Sequence, residues 1–403
     1  MSGDRPVGFA TKAIHGRKHT DKHEPGDRRP IRTLSTPIFM SSTFAFDSVD
    51  HGEAIFSGRS PDYTYTRMGN PTTAALESEV AYLEGAEKGL AFASGMAAIS
   101  HLTIHLVKAG EKFVYAKTIY GGSFKFFSHT CVEQFKMNTV GVDAANLAEV
   151  EAAVDADTKM LFIETPSNPT MACVDIAACA EIAHRVGAPL VVDNTFLTPY
   201  LQCPIEFGAD YVVHSATKYL NGHGDTVGGF VVGPAEPMTQ MHKQTATVLG
   251  GCISPFNSWL ILRGIRTLPV RMDRHCANAM EIAQFLSFHP KVSKVYYPGL
   301  RTDAYHELAK RQMRDFGGMV AVEVKGGREA AKTVGNNLSV WTLAVSLGDV
   351  DSLISIPAST THSSYNDEEL RAAGINPGLI RLSVGLEDVD DLIEDLRRAL
   401  KLI

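Results

Sequence analysis

Short apolar runs and helical patterns alternate along the middle of the chain, and this alternation narrows the possible folds more than any other feature. The runs at residues 89–93, 112–115, 160–163, 190–192, 211–213 and 229–232 are separated by stretches of helical spacing such as 97–107 and 175–185. Strands joined by helical crossovers lie parallel, so an α/β architecture with a mostly parallel central sheet is expected. Beyond about residue 254 the pattern changes. Residues 258–285 read as one long helix interrupted at Pro269, followed by β-like runs at 292–297, 319–324 and 379–384 and a final helix from Val389. Helices and antiparallel strands in that order indicate a smaller α+β domain. Residues 1–60, rich in Pro, Gly, His and charge, read as an extended arm with little core of its own. The expected organisation is an arm over 1–62, an α/β domain over 63–254 and a C-terminal α+β domain over 255–403.

The 403 residues exceed what one small core holds and suggest two or three compact units. With 44% apolar and 21% charged residues, the composition is that of a soluble globular protein. A net charge of −7 argues against a nucleic-acid partner, since phosphate contacts need a basic face. No apolar run approaches the length of a membrane span, and the N-terminal stretch lacks a signal-peptide pattern. A cytoplasmic protein without membrane association is therefore expected. The six cysteines form no CxxC pair and read as reduced structural thiols. The histidines include no HExxH, and no metal is expected.

Two of the runs end in groups that carry chemistry. Tyr211-Val212-Val213-His214-Ser215-Ala216-Thr217-Lys218 closes an apolar run with a lysine beside two hydroxyls, and the turn Asn221-Gly222-His223-Gly224-Asp225 follows. A lysine at the mouth of a buried strand lowers its pKa readily and condenses with aldehydes, while Ser215 and Thr217 can donate to a phosphate. Leu190-Val191-Val192-Asp193 ends in an acid 25 residues earlier, room for one crossover and the next strand. Ligand groups gather at the carboxyl ends of parallel strands, where both residues would lie. Pyridoxal 5′-phosphate (PLP) uses such a pair, a lysine on its aldehyde and a carboxylate on its pyridinium nitrogen. Read alone, Asp193 is better explained as a helix cap or turn acid and Lys218 as a solvated side chain; beside each other those readings lose force. The turn Ser94-Gly95-Met96 joins a strand to a helix, and the free N–H groups of Gly95 and Met96 suit a phosphate, although a plain strand–turn–helix joint has the same pattern.

Further motifs stand in order along the chain: Tyr65-Thr66-Arg67-Met68-Gly69-Asn70-Pro71-Thr72, Tyr120-Gly121-Gly122, Glu164-Thr165-Pro166-Ser167-Asn168-Pro169 and Leu379-Ile380-Arg381-Leu382-Ser383-Val384-Gly385. With them, from about Gly8 to the C-terminus, the chain resembles the γ-subgroup of PLP enzymes that act on sulfur amino acids. The resemblance implies PLP fold type I (aspartate-aminotransferase-like) and a homotetramer, a dimer of dimers with active sites shared across the dimer. It implies that Lys218 and Asp193 hold the cofactor and that Lys218 moves protons. Tyr120 would stack on the ring and act as acid to the departing γ-substituent, with Arg67 lowering its pKa. Gly95, Met96, Ser215 and Thr217 would bind the phosphate from one subunit, and Tyr65 and Arg67 from the other. Asn168 would hydrogen-bond the phenolic oxygen, and Arg381 would anchor the substrate α-carboxylate in bidentate fashion. Without the resemblance, both arginines read as members of structural ion pairs and Asn168-Pro169 as a turn.

Within the family, cystathionine-handling relatives carry a glutamate at the position of Val345, and the animal γ-lyase has an acid matching Thr64 and an arginine matching Lys125. With Thr64 and Val345 in place of those acids, the pocket offers little to a second ammonium group and more to an apolar thioether. Arg381, Ser346, Val345 and Lys125 are the expected substrate-binding residues. Val345-Ser346-Leu347-Gly348-Asp349, Pro357-Ala358-Ser359-Thr360-Thr361-His362-Ser363-Ser364-Tyr365 and Met272-Asp273-Arg274-His275-Cys276-Ala277-Asn278-Ala279 resemble methionine γ-lyase. That resemblance implies γ-elimination of L-methionine to 2-oxobutanoate, methanethiol and ammonia. Gly122 and Ala246-Thr247 depart from the bacterial members, which carry Cys and Lys-Asp there. The alternatives are γ-replacement on an O-acylhomoserine, as in the sulfhydrylases and cystathionine γ-synthase, or cystathionine γ-lyase activity. A nucleotide-binding oxidoreductase using Gly222-His223-Gly224 is disfavoured, because those glycines do not open a helix in GxGxxG spacing and Lys218 would have no role. A non-catalytic scaffold is disfavoured by the intact set of Lys218, Asp193, Tyr120 and Arg381.

Overall fold

The computed structural model describes residues 7–16, 34–359 and 376–403. Seven strands form its central sheet: β1 (Lys88–Phe92), β2 (Lys112–Ala116), β3 (Asn138–Val142), β4 (Thr158–Glu164), β5 (Leu190–Asp193), β6 (Tyr211–Ser215) and β7 (Gly229–Gly233). Their order is β1-β7-β6-β5-β4-β2-β3. All pairings from β6 to β3 are parallel, and only β7 runs against its two neighbours. Leu161, Val191, Val192 and Val212 have no exposed surface, and each such side chain contributes roughly 1.5–3 kcal/mol relative to exposure. Residues 138–142 give no strand signal in the sequence, because Asn138, Thr139 and Gly141 interrupt any apolar run. As β3 they form a sheet edge with only Val142 buried.

A smaller five-stranded sheet, β8 (Val292–Tyr296), β9 (Met319–Val324), β10 (Thr342–Leu343), β11 (Leu353–Ser355) and β12 (Leu379–Ser383), has the order β10-β11-β12-β9-β8. It is antiparallel except between β10 and β11. The helices that matter for the site are α1 (Phe9–His15), α2 (Val49–Phe56), α3 (Pro71–Glu84), α4 (Gly95–Leu106), α5 (Gly121–Lys125), α6 (Ile176–Arg185), α7 (Pro255–Ile265) and α8 (Leu268–Ser287). Ser94 caps α4 by accepting from Ala97 N, and Asp175 caps α6 by accepting from Ala178 N, two side-chain oxygens that satisfy otherwise unpaired N–H groups. The long helix expected over 258–285 is two helices. The break falls at Arg266–Thr267, and Pro269 lies in the first turn of α8, where its missing N–H costs nothing.

Helix α8 joins the two hydrophobic cores. Leu268, Met272 and Cys276 belong to the core around the large sheet, whereas Ala279, Ile282, Ala283 and Leu286 belong to the core around the small one. Along one face it also makes three polar attachments. Arg271 donates to Tyr219 O at 2.8 Å, His275 Nδ1 to Val384 O at 2.6 Å, and Asn278 Nδ2 to Gly385 O at 3.0 Å.

The N-terminal arm is not wholly extended: where described, it contains α1 and α2. Ala13 of α1 is buried and Phe9 stacks edge-on against Tyr200 at 5.2 Å, so α1 is fixed by the large core. Beneath the sheet, a fully buried polar network links α3 to β6. His214 Nε2 lies 2.6 Å from Glu84 Oε1, which also accepts from Asn194 Nδ2 at 3.0 Å. Glu84→Ala leaves His214 Nε2 without a partner and removes one of the two acceptors of Asn194 Nδ2, which keeps Gln202 O, and unfolding in urea is expected to show a loss of about 3–5 kcal/mol. A loss below roughly 1 kcal/mol, the net worth of an ordinary hydrogen bond, would mean that the network does not hold α3 to the sheet.

Candidate active site

β4, β5 and β6 deliver Glu164, Asp193 and Ser215 to one end of the sheet, and Glu164 and Asp193 are register partners. After Ser215 the chain turns tightly. Lys218 N donates to Ser215 O at 3.2 Å, and Gly222 N to Lys218 O at 2.8 Å. Gly222 has φ +75°, and a Cβ there would lie 2.0 Å from Arg271 Nη1, so this turn requires glycine. Lys218 is thereby aimed at the small sheet, where its Nζ donates to Ser346 Oγ at 2.9 Å. Burial, then the charge of Arg381, pushes the Lys218 amine below the usual lysine range, against the opposing pull of Asp349.

Asp193 is 7% exposed. Its Oδ1 accepts from Thr195 N at 3.1 Å and from Thr195 Oγ1 at 2.6 Å. Burial pushes its carboxyl up; the Thr195 bonds, and then His214, oppose that shift. Thr195 Oγ1 also accepts from Ser215 N at 2.8 Å, which ties the ends of β5 and β6 together. Gly95 opens α4 against this joint, where a Cβ would stand 2.9 Å from Ser215 Cβ. The first N–H groups of α4, at Gly95 and Met96, therefore lie close to Ser215. Thr217 Oγ1 accepts from Gly228 N at 3.2 Å.

From the small sheet comes Arg381, 7% exposed on β12. Its Nη2 donates to Val345 O and Ser346 O, both at 3.0 Å, and its Nη1 to Asn168 Oδ1 at 3.0 Å. Its Nε is buried with no acceptor among the described residues. Burial lowers its pKa to about 10. Asn168 N in turn donates to Glu164 Oε1 at 3.0 Å, and Tyr120 N to Glu164 Oε2 at 2.7 Å. The ring of Tyr120 is half-exposed. A Cβ at Gly122 would lie 2.5 Å from Tyr120 Cε1, so a side chain at 122 would displace that ring.

The remaining expected residues sit further out. Val345 is 66% exposed, although its carbonyl is held by Arg381. Lys125, at the end of α5, is exposed, and Thr64 is buried with its hydroxyl on Met68 Sδ at 3.6 Å. Tyr65 and Arg67 are not joined to the Lys218 network by any described bond. Arg67 donates to Thr247 O and lines a separate cleft with Tyr63, Asn70, Glu77, Ala246 and Cys252. Residues 360–365 of the Pro357–Tyr365 motif lie outside the described residues.

The donor set fits PLP. A buried carboxylate with one oxygen held by Thr195 suits a pyridinium N–H, a desolvated amine suits an aldehyde, and the opening N–H groups of α4 suit a phosphate. The unpaired, buried Nε of Arg381 suits a carboxylate. Sequence reasoning gave no role to Glu164, Thr195 or Asp349. Glu164 had a readable signal, since it ends β4 as Asp193 ends β5; Asp349 comes near Lys218 only through the packing of the small unit.

A family model described as Cys/Met metabolism PLP-dependent enzyme matches residues 10–401. The L-methionine gamma-lyase of Fusobacterium nucleatum subsp. nucleatum is 48% identical over 398 residues, 98% of each chain. That of Porphyromonas gingivalis is 47% identical, with 98% of this chain and 97% of the other covered. Among solved structures, cystathionine gamma synthase from Xanthomonas oryzae pv. oryzae, in complex with aminoacrylate and cysteine, matches with a TM-score of 0.90 at 40% identity over 98% of both chains. Sequence, fold and the donor set around Lys218 and Asp193 agree: the chain belongs to the Cys/Met metabolism family of PLP-dependent enzymes, and its cofactor is pyridoxal 5′-phosphate.

Proposed function

We propose that the protein is a carbon–sulfur lyase that converts L-methionine and water to 2-oxobutanoate, methanethiol and ammonia. The observation that carries this reading is Val345, an apolar side chain on the residue whose carbonyl is hydrogen-bonded to Arg381. With Thr64 committed to Met68 Sδ, neither distal position offers a carboxylate to a second ammonium group. The 48% identity to an L-methionine gamma-lyase supports the same choice.

When bound, PLP supplies an electron sink that acidifies the substrate Cα–H and then Cβ–H. Asp193 holds the pyridinium nitrogen, Asn168 the phenolic oxygen, and Gly95, Met96, Ser215 and Thr217 the phosphate. Arg381 takes the substrate carboxylate through its free Nε and presents the Cα proton to Lys218. Lys218 Nζ, whose pKa burial lowers, accepts the Cα proton and later a Cβ proton. Tyr120 Oη gives a proton to the departing sulfur. Ser346 Oγ orients the lysine amine, and Lys125 lies at the distal rim. Tyr65 and Arg67 complete the phosphate site of a second copy in a homotetramer, a reading supported by Arg67, which lines a cleft apart from Lys218. A cytoplasmic setting is supported by six free thiols, four of them buried. No helix among the described residues is long and apolar enough to cross a membrane.

Product analysis tests the reading. Methanethiol and 2-oxobutanoate should form from methionine without an added thiol. Cystathionine formation from O-acylhomoserine and cysteine, with no methionine cleavage, would instead assign γ-replacement. Val345→Glu should shift the cystathionine-to-methionine ratio of kcat/KM upward by about 30- to 150-fold, the worth of roughly 2–3 kcal/mol in one charge-assisted bond. An unchanged ratio in a variant that still binds PLP would place Val345 outside the substrate's reach.

A further inference from the structure

Glu164 takes part in none of these steps, yet it sits at their centre. It is 5% exposed, stands beside Asp193 in register, and uses both carboxyl oxygens on different loops. Oε2 accepts from Tyr120 N in the loop after β2, and Oε1 accepts from Asn168 N in the loop after β4. Asn168 then holds Arg381 Nη1 through its own side chain. Given the catalytic roles proposed above, we propose that Glu164 is a positioning residue that fixes Tyr120, the leaving-group acid, relative to Arg381, the carboxylate anchor.

The chemistry of the position favours this over a purely structural role. A buried acid next to another acid is an unfavourable choice for filling space, and an apolar side chain would fill it at lower cost. Burial, then Asp193, pushes the Glu164 carboxyl well above the usual carboxylate range, while the two N–H donors and Arg381 pull the other way. What an acid offers here, and an amide does not, is two acceptor oxygens for two N–H groups that arrive from different directions. Glutamine would satisfy one loop and turn an NH2 toward the other. Tyr120 is the residue most exposed to that change, because its ring is half-exposed and its main chain carries the constraint.

The test uses the PLP-loaded full chain with Glu164→Gln. L-Norleucine has the shape of methionine without its leaving group, and pentan-1-amine is norleucine without its carboxylate; the cofactor's visible absorbance reports the binding of each. Norleucine affinity should weaken about tenfold while pentan-1-amine affinity is unchanged, because only norleucine uses Arg381. In the same variant kcat/KM for methionine should fall by about 100-fold, the cost of an ångström-scale misplacement. Equal weakening of both ligands would mean diffuse damage and would overturn the proposal, as would parental affinity for norleucine. If the glutamine variant does not fold, Glu164→Asp, which keeps an acid but cannot reach both loops, undergoes the same two titrations with the same decision. Should the unsubstituted enzyme release no methanethiol from methionine, the activity reading falls, while the two titrations still decide whether Glu164 acts on Arg381.

Discussion

Lys218→Ala should lower kcat on methionine by about 10,000-fold or more, the upper range of what a positioned proton-transfer group contributes. In the proposed reaction the same amine is used twice, at Cα and at Cβ, so no neighbour inherits the work. Ser346 Oγ, its hydrogen-bond partner, is too weakly basic, and Asp193 is committed to Thr195 and, in the proposed reading, to the ring nitrogen. The fold should survive, because removing a half-buried amine relieves a desolvation cost, and PLP should still bind without a covalent link. Lys218→Arg separates charge from proton transfer: a guanidinium keeps the positive charge but does not act as a base, so it should fail as completely as alanine. Stopped-flow absorbance and product release measure both variants. Parental turnover in either, with cofactor bound, would remove Lys218 from the reaction.

Arg381→Lys should reduce kcat/KM on methionine by about 1,000-fold, mostly through KM. Arg381 makes three bonds with its terminal nitrogens and keeps Nε free, so guanidinium geometry holds the small unit's loop and, in the proposed reading, presents a donor to the substrate carboxylate at once. An ammonium has the charge but not the fork, and losing two charge-assisted bonds costs roughly 4 kcal/mol. Steady-state kinetics over a wide methionine range would show the change. If KM stayed at the parental value, the substrate carboxylate would have to bind elsewhere.

The parts of the site built by strands were legible in the sequence. Asp193 and Lys218 stand where their apolar runs end, and a parallel sheet brings such ends together whatever the loops do. The shape of β12 placed Arg381 on a strand of the smaller unit for the same reason. Groups that act by holding main-chain N–H donors were not legible. Glu164 and Thr195 gain meaning only once the loops of Tyr120, Asn168 and Ser215 have closed on them. Nor does one chain bring Tyr65 and Arg67 to Lys218. The strand at 138–142 and the short helices of the arm escaped notice because local periodicity is weak in five- to eight-residue elements whose stability comes from packing.

Helix α8 works as a rod of about 30 Å, the length of a 20-residue helix. Near one end Arg271 grips the carbonyl next to Lys218; one and two turns further, His275 and Asn278 grip the chain that follows the strand of Arg381. The amine and the guanidinium are thus fastened to the same stiff beam. Their spacing is then set by the length and stiffness of the beam, while Tyr120 and Val345 are held separately, the one through Glu164 and the other through Arg381 itself.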